Sequence, residues 1–369
     1  MFFRFPLPKP KKFSFETLFK FNKQNKQNKQ ILIQITQKRT ELQKLSEMTI
    51  PSAIEQTQNY LSLILGLRNS VNNLEKIQLK TLLKLYWKSS STQSTNYFPI
   101  VTDSEKCSKG LSLDISMVLN LIAILYLNYG ISVFEKAEEL EKDRVANDSI
   151  KYFQKSAGIF SKMAEEIESN GDPPQVHPPE FVPLYAKGMN LLSRSFANYI
   201  AMKKGELSDT KPMILAKLCI GSQNLIEQAE KTFKEKDTEW NSFSLAFQSY
   251  LPASKLIFYS MACKFLAQHF ATKDKLGIAL GYLEKATNYL KTIPKSTAIN
   301  FASKIQNRIA EEVKDISRLK ETYERTNTTV FLQNVVPIED LPKLPDGLEL
   351  AKETPFSLPK PPFSNLILI

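Results

Sequence analysis

The stretch from Ile115 to Phe134, ISMVLNLIAILYLNYGISVF, contains no charged side chain. A helix of this length can cross the hydrocarbon core of a bilayer, or it can lie buried at the centre of a large helical domain. Asn120, Asn128 and Gly130 weaken the membrane interpretation, because an unpaired amide is costly in lipid. The next segment is amphipathic at helical spacing. We therefore predict a buried helix at the centre of a layered helical protein, with a membrane span as the alternative.

The composition favours helices. Glycine is scarce, with 11 among 369 residues, and a content of 42% hydrophobic and 24% charged residues is usual for a globular protein. Abundant leucine, lysine, glutamate and isoleucine favour helices over a strand-and-turn architecture. A chain of this length can bury a sizeable core. We predict an all-α fold.

Helical spacing and its interruptions predict where the helices lie. A first helical region is expected from residue 31 to about residue 87, with a break near residues 49–52. Residues 88–110 are rich in Ser, Thr and Asn and are expected to form a long loop. The charge-free helix follows, with a charged continuation. Further helices are predicted at about residues 147–170, 180–204, 213–237, 240–271, 276–293 and 297–323.

Three of the predicted helices share a pattern. The segments YFQKSAGIF from Tyr152, LIEQAEKTF from Leu225 and YLEKATNYL from Tyr282 carry large apolar residues at their first, second and ninth positions. This pattern is typical of the second helix of a tetratricopeptide-type pair. The spacing between the segments is too irregular for a true repeat array. The sequence therefore predicts a solenoid-like core with helices of unequal length.

The two ends differ from the helical region. Residues 1–30 form a leader rich in aromatic residues and proline, followed by the low-complexity run KQNKQNKQ, and carry +7 of the net charge of +11. This leader is expected to be irregular, either as a solvated tail or as a contact for anionic lipid or nucleic acid. Residues 31–335 form the helical domain. Residues 336–369 are proline-rich and are expected to be extended and to pack on the domain.

No pattern of catalytic or ligand-binding residues is visible. The two histidines, His177 and His269, are far apart, and no His/Cys cluster has metal-ligand spacing. There is no glycine-rich phosphate loop, nucleophile elbow or kinase signature. We therefore predict no catalytic residues, no cofactor and no metal. The three separated cysteines suit a reducing compartment, and nucleic-acid binding is not favoured without a basic scaffold.

Several motifs together resemble those of the BRO domain family, to which Alix, Rhophilin and Brox belong. The segment VLNLIA from Val118 resembles the family's apolar "vLfNia" helix, and AGIF from Ala157 resembles its Ala-Gly-x-Phe motif. ANYIAMKKG, ILAKL, LGIALGYLEKATNYL and ERTNTTVFLQNVVPIEDLP follow in the family's order, the last through Asn327, Val336 and Pro337. The ends, MFFRFPLPKPKKFSF and ETPFSLPKPP, resemble Brox-type members in particular.

The resemblance implies an elongated, banana-shaped domain with a tetratricopeptide-like middle and a role as a non-enzymatic adaptor in endosomal sorting. Family members bind the C-terminal amphipathic helix of an ESCRT-III subunit in an apolar groove. Carried over to this chain, the groove would include Ile214 and Leu218, with Ala201 on the preceding helix. Tyr199 and Ile200 are neighbours that could lie in the groove or in the core. The alternative for Ile214 and Leu218 is that they only fill the core between helices.

The chain departs from the family pattern at this site. Ala201 stands where Alix has a large aromatic residue, which implies weaker binding. Asn198 and Tyr199 replace the usual Gln-Glu pair. The final residues, LILI, lack a cysteine four positions from the end, so no prenyl anchor of the Brox type is expected.

Two functions remain open at this point. The first is a cytoplasmic adaptor that is recruited peripherally to endosomal membranes by binding an ESCRT-III subunit, with the basic leader adding contact to anionic lipid. The second is a helical scaffold for another signalling or trafficking partner, without ESCRT-III binding. The first predicts that Ile214→Asp or Leu218→Asp abolishes binding and leaves the fold intact.

Overall fold

The computed structural model describes residues 2–19, 26–73, 79–93, 96–140, 143–171, 177–293 and 303–363. These residues are mostly helical, with one small sheet. The helices are α1 (Lys26–Glu41), α2 (Ile50–Asn72), α3 (Cys107–Leu140), α4 (Asp143–Ser169), α5 (Pro183–Leu207), α6 (Pro212–Phe233), α7 (Asp237–Ser242), α8 (Leu245–Ala271), α9 (Leu276–Lys291) and α10 (Ser303–Thr326). The strands are β1 (Lys9–Pro10), β2 (Leu83–Lys88) and β3 (Tyr97–Thr102).

Helix α3 is long and apolar enough to cross a membrane, but 94% of its most apolar window is buried inside the protein. Its polar side chains have partners there. Asn120 donates to Ser90 Oγ and accepts from the hydroxyl of Tyr185, each at 3.2 Å, and Asn128 donates to the carbonyl oxygen of Phe5 at 2.8 Å. The predicted buried helix is therefore confirmed, since neighbouring parts of the chain cover its apolar surface.

The helices from α3 onward pack in chain order. Each of α3, α4, α5, α6, α8, α9 and α10 packs on the next. Proline in the first turn of α2, α5 and α6 favours the start of each helix, because its missing N–H would be unpaired there anyway. The predicted helical, solenoid-like fold is confirmed. One predicted helix, residues 240–271, is broken after α7, where the Ser244 side chain caps α8.

The small sheet corrects the prediction of a helix up to about residue 87 and of a loop after it, because β2 and β3 lie there instead. Strands β1, β2 and β3 are antiparallel, in that order, with Leu85 opposite Ile100 and Lys9 opposite Lys88. Residues 83–88, LKLYWK, were expected at the end of a helix. Their buried positions alternate, with Leu83, Leu85 and Trp87 in the core, which is the period of a strand rather than of a helix.

One buried ionic cluster connects α1, α2, β2 and α3. The Asp114 carboxylate accepts from Arg39 Nη1 at 2.6 Å, from the hydroxyl of Tyr60 at 2.7 Å and from Trp87 Nε1 at 2.6 Å. Both charged side chains of this pair are fully buried. Burial and the Asp114 carboxylate raise the pKa of Tyr60 well above its ordinary value. Three donor side chains thus share one buried carboxylate, while Arg39 Nη2 has no hydrogen-bond partner among the described residues.

Residues 2–19 of the basic leader pack on the helices, so this part is not a solvated tail. The rings of Phe2 and Phe5 are buried, and Phe2 contacts the rings of Phe134, Phe153, Phe196 and Tyr199 at centroid distances of 5.1–5.6 Å. Arg4 forms an ion pair with Glu135 at 2.8 Å. The aromatic residues of the leader therefore complete the core. Contact of the leader with anionic membrane stays a prediction, as does the division of the chain at residues 30 and 335.

Residues 333–363, which we call the C-terminal strap, run extended across α9, α6, α5 and α4 and end near α2. At three helices the contact has the same form. One strap residue donates its N–H to a helix carbonyl, and its own carbonyl oxygen lies against a glycine four residues further along that helix. The three contacts join Val336 to Gly277 and Gly281, Leu348 to Lys217 and Gly221, and Thr354 to Gln154 and Gly158. Only glycine lets the strap backbone approach the helices this closely.

Candidate partner-binding surface

The site predicted from the sequence lies where α5 and α6 pack side by side. The four residues from Ser208 to Lys211 connect the two helices, so these helices run antiparallel. Two contacts show which residues of α5 lie beside which residues of α6. Asn198 on α5 donates to the carbonyl oxygen of Leu218 on α6 at 2.9 Å, and Gly205 lies next to Leu215. Ala201 therefore lies at the level of the first turns of α6.

Ile214 is an exposed apolar side chain of this surface. It is in the first turn of α6, with 39% of its surface accessible. Ala201 on α5 is half-buried. The two residues present apolar surface to solvent at the same end of the helix pair.

The other three predicted residues lie inside the protein. Tyr199 and Ile200 are buried, and the Tyr199 ring contacts Phe258 at 5.7 Å in addition to Phe2. Leu218 is only 2% exposed, one turn further along α6 than Ile214. The face of α6 that carries Leu218 packs on α5 and on the strap. A partner on this surface would thus touch Ile214 and Ala201 first, and the binding role of the five residues stays a prediction.

The C-terminal strap forms one border of this surface. The Asn198 side chain donates to the carbonyl oxygen of Leu348 at 3.1 Å and accepts from the N–H of Leu350 at 3.0 Å. One amide thereby makes both bonds that a neighbouring β-strand would make. Leu350 is 57% exposed and adds apolar surface next to α5. Asn198, which departs from the family's Gln-Glu pair, therefore holds the strap in place.

Asn327 holds the other end of the strap in the same way. Its side chain donates to the carbonyl oxygen of Gln333 at 2.8 Å and accepts from the N–H of Gln333 at 3.1 Å. The chain turns there through a π-helical segment, Asn327–Phe331, that ends at Leu332 with a left-handed φ of 50°. A family-motif residue that was noted only for its resemblance thus has a structural role.

Two lysines lie within one helical turn of Ile214. Lys211 is exposed at the start of α6, and Lys217 is half-buried one turn beyond Ile214. Lys203 forms an ion pair with Glu206 at 2.5 Å. Burial alone would raise the pKa of Glu206, but the neighbouring Lys203 ammonium has a larger, opposite effect, so the pKa lies below its ordinary value. The surroundings of Ile214 thus combine apolar and cationic groups.

Among the residues that the structure describes, no group of three His, Cys, Asp or Glu side chains could hold a metal ion. The three cysteines are buried and free, and burial raises the pKa of each thiol. His177 lies near Glu239, whereas His269 is at the end of α8. In the described parts of the chain, the candidate surface thus offers apolar and charged side chains, which can bind a partner by packing and by electrostatic attraction.

Sequence reasoning missed one buried carboxylate. Glu180 is fully buried, and its oxygens accept from the hydroxyl groups of Ser89, Ser90 and Ser91 at 2.7–3.0 Å and from the N–H of Ser90 at 2.8 Å. Burial and the Glu180 charge raise the pKa of Tyr185. The serine run in the predicted loop was the signal for this cluster, which joins the loop after β2 to the start of α5.

The comparisons with known proteins agree with the fold. The family model of the BRO1-like domain matches residues 16–367. In sequence, no curated protein matches the chain. One similar solved structure is described as an ALIX BRO1 and CHMP4C complex; it has 18% identity and a TM-score of 0.71, over 99% of both chains.

Two further structures are similar. ALIX in complex with the SIVmac239 PYKEVTEDL late domain has 18% identity and a TM-score of 0.70, over 99% of this chain and 50% of that one. A structure described as a basis for endosomal targeting by the Bro1 domain has 13% identity and a TM-score of 0.63, over 96% and 92% of the two chains. At these identities, the structural matches show a common fold.

Proposed function

This chain belongs to the BRO1-like domain family, and we propose that it is a non-enzymatic adaptor that binds the C-terminal amphipathic helix of an ESCRT-III subunit. It would act in the cytoplasm and be recruited peripherally to endosomal membranes. Two of the similar structures have names that support this proposal, the ALIX BRO1 and CHMP4C complex and the Bro1 domain in endosomal targeting. The Brox-like subtype is part of the same proposal.

The exposed side chain of Ile214 is the observation that carries the proposal. An amphipathic helix binds by placing apolar side chains in a groove between two helices. Ile214 and Ala201 offer such a place between α5 and α6, and Leu350 of the strap extends it. Lys211 and Lys217 nearby favour a partner helix whose apolar residues are flanked by acidic ones.

Isothermal titration calorimetry with a peptide of the CHMP4C C-terminal helix tests the proposal. Ile214→Asp is expected to weaken binding by more than about tenfold, since it places a charge at the apolar contact. Its fold should be retained, because the side chain is partly exposed. Val313→Asp is the matched control, since Val313 is similarly exposed on α10. If Ile214→Asp is folded and binds as tightly as the wild type, the surface is assigned wrongly.

The structure changes the expectation for Leu218→Asp. Leu218 is buried, so a carboxylate there would be left in the core without a partner. We expect this variant to lose stability as well as binding. It is therefore not a clean test of the surface.

A gain of binding gives a second test. Ala201→Phe restores a large aromatic residue where Alix has one, and the half-buried position leaves part of the ring free to contact a partner. We expect tighter binding of the CHMP4C peptide, by about three- to thirtyfold. If the wild type and Ala201→Phe both fail to bind, the chain is better described as a helical scaffold for another partner.

A further inference from the structure

A second groove lies on the other side of the strap. It has a volume of about 580 Å³ and is formed by α4, the first turns of α5, the end of α6 and the strap. Along α5, the groove takes in Leu184 and Leu191, the strap contacts Asn190 to Asn198, and Ala201 lies beyond. The groove is therefore separate from the surface around Ile214. Its volume is in the range of known ligand sites.

Three apolar side chains, which we call the floor, line part of this groove. Ala164 of α4 is almost fully buried, while Leu184 and Leu191 of α5 are half-buried and keep part of their surface accessible. A ligand that only carried charge would leave this apolar surface in contact with water. The floor thus favours a ligand with apolar side chains on one face.

The walls are acidic. Four carboxylates, those of Glu165, Glu168, Glu235 and Glu353, face one ammonium group, that of Lys187. Glu168 pairs with Lys187 at 2.7 Å, and Glu165 pairs with Lys162 at 2.9 Å. Within the described residues, Glu235 and Glu353 have no cation within ion-pair distance, and the Glu353 carboxylate is held by the Ser161 hydroxyl and the Asn190 amide. These two carboxylates are therefore available to a cationic ligand.

The net charge of the whole chain affects how a cationic ligand would be attracted to this groove. With a net charge of +11, the protein repels cationic ligands at long range. Attraction of a cationic ligand must then come from the local carboxylates, within about one Debye length of roughly 10 Å. Binding of a cationic ligand here would therefore depend on the carboxylates of this groove, because the net charge of the protein opposes it.

We propose that this groove binds an extended segment of a partner protein in which Lys or Arg alternates with apolar residues. In an extended chain, alternate side chains point to opposite sides. One set can cover Ala164, Leu184 and Leu191, while the other reaches the carboxylates on the rim. The acidic walls and the apolar floor thus select the same sequence pattern.

Fluorescence anisotropy of the full chain tests this proposal. The probe is a fluorescein-labelled octapeptide of alternating arginine and leucine, and its counterpart has glutamate in place of arginine. Binding of the arginine peptide is expected, and it should weaken as salt rises. Glu235→Gln with Glu353→Gln removes the two available carboxylates and should weaken binding by roughly three- to thirtyfold, while a glutamine at position 353 keeps an oxygen that can accept from Ser161 and Asn190. Both side chains are exposed, so the fold is not at risk.

The matched control removes the same charge elsewhere. Glu55→Gln with Glu284→Gln changes two exposed carboxylates that lie outside the groove, and this variant should bind as the wild type does. Ile214→Asp should also bind the arginine peptide normally, which separates this groove from the ESCRT-III surface. Equal loss in the two double variants, equal binding of the glutamate peptide, or no binding of the arginine peptide by the wild type would overturn the proposal.

Discussion

Replacing Gly158 with alanine tests how closely the C-terminal strap approaches α4. In an exposed helix, alanine is more favourable than glycine by about 1 kcal/mol, so this substitution would ordinarily stabilise the protein. Here the added Cβ would lie 2.8 Å from the carbonyl carbon of Thr354 and closer still to its oxygen. Ordinary van der Waals contact begins at about 3.4 Å. The strap backbone must therefore move away from α4.

The expected change in the free energy of unfolding combines two destabilising contributions and one stabilising contribution. Movement of the strap removes the hydrogen bond from the Thr354 N–H to the Gln154 carbonyl oxygen, which contributes about 0.5–1.5 kcal/mol. Overpacking against a backbone group costs about 1–3 kcal/mol. The helix propensity of alanine returns about 1 kcal/mol. We expect a net loss of about 0.5–3.5 kcal/mol in the free energy of unfolding.

Urea unfolding followed by circular dichroism measures this loss, and hydrogen exchange of the Thr354 amide reports whether the strap has moved. Gly205→Ala is the control, because a Cβ there would meet only side-chain atoms of Leu215 and Thr210, at 3.0 Å or more. It should change stability by less than about 1 kcal/mol. A Gly158→Ala variant that gains stability and keeps Thr354 protected would refute the placement of the strap.

Three further predictions concern buried ionisable groups. Asp114→Asn leaves a buried guanidinium without its counter-charge and should cost about 3–5 kcal/mol in urea unfolding. Burial alone would raise the pKa of Glu230, but its ion pairs with Lys234 and Lys255 have the larger, opposite effect and hold the pKa below its ordinary value of 4.5. Since the folded-state pKa is the lower one, its stabilisation is present above pH 4.5 and lost as the pH falls below it, so Glu230→Gln should flatten the acid limb of a stability–pH profile. Burial raises the pKa of every thiol, that of Cys107 to about 12, so a thiol reagent at pH 8 should react only after unfolding with the buried cysteines Cys107, Cys219 and Cys263.

Much of the helical architecture follows from local sequence signals. The charge-free stretch predicts the central helix because twenty residues without charge can only be covered by other apolar surface. Proline and N-cap residues mark several helix starts, and α6 begins at Pro212, next to the predicted start at residue 213. The sheet was not predicted in this way, because β1 has only two residues and lies far from β2 in the sequence, and because β2 follows a helical pattern without a clear break. Only the alternation of LKLYWK indicates it.

The candidate surface was predictable only in part. The resemblance identifies Ile214 and Ala201, and both are accessible in the structure. It does not separate them from Leu218, Tyr199 and Ile200, because burial depends on contacts with distant parts of the chain, such as those of the Tyr199 ring with Phe2 and Phe258. The GxxxG spacing of Gly277 and Gly281 was uninformative outside a membrane, yet these glycines accommodate the strap. A local sequence pattern does not predict which distant segment of the chain will pack closely against a glycine.

A helical stack in which each helix touches only its neighbours can lose helices from either end, since its stability is a sum of nearest-neighbour terms. Residues 333–363 change this, because one segment is hydrogen-bonded to α9, α6, α5 and α4 in turn. Opening at one end must release a peptide that also fastens the opposite end. We expect the domain to unfold in a single cooperative transition, and a force applied to its last helix to be shared by the whole molecule.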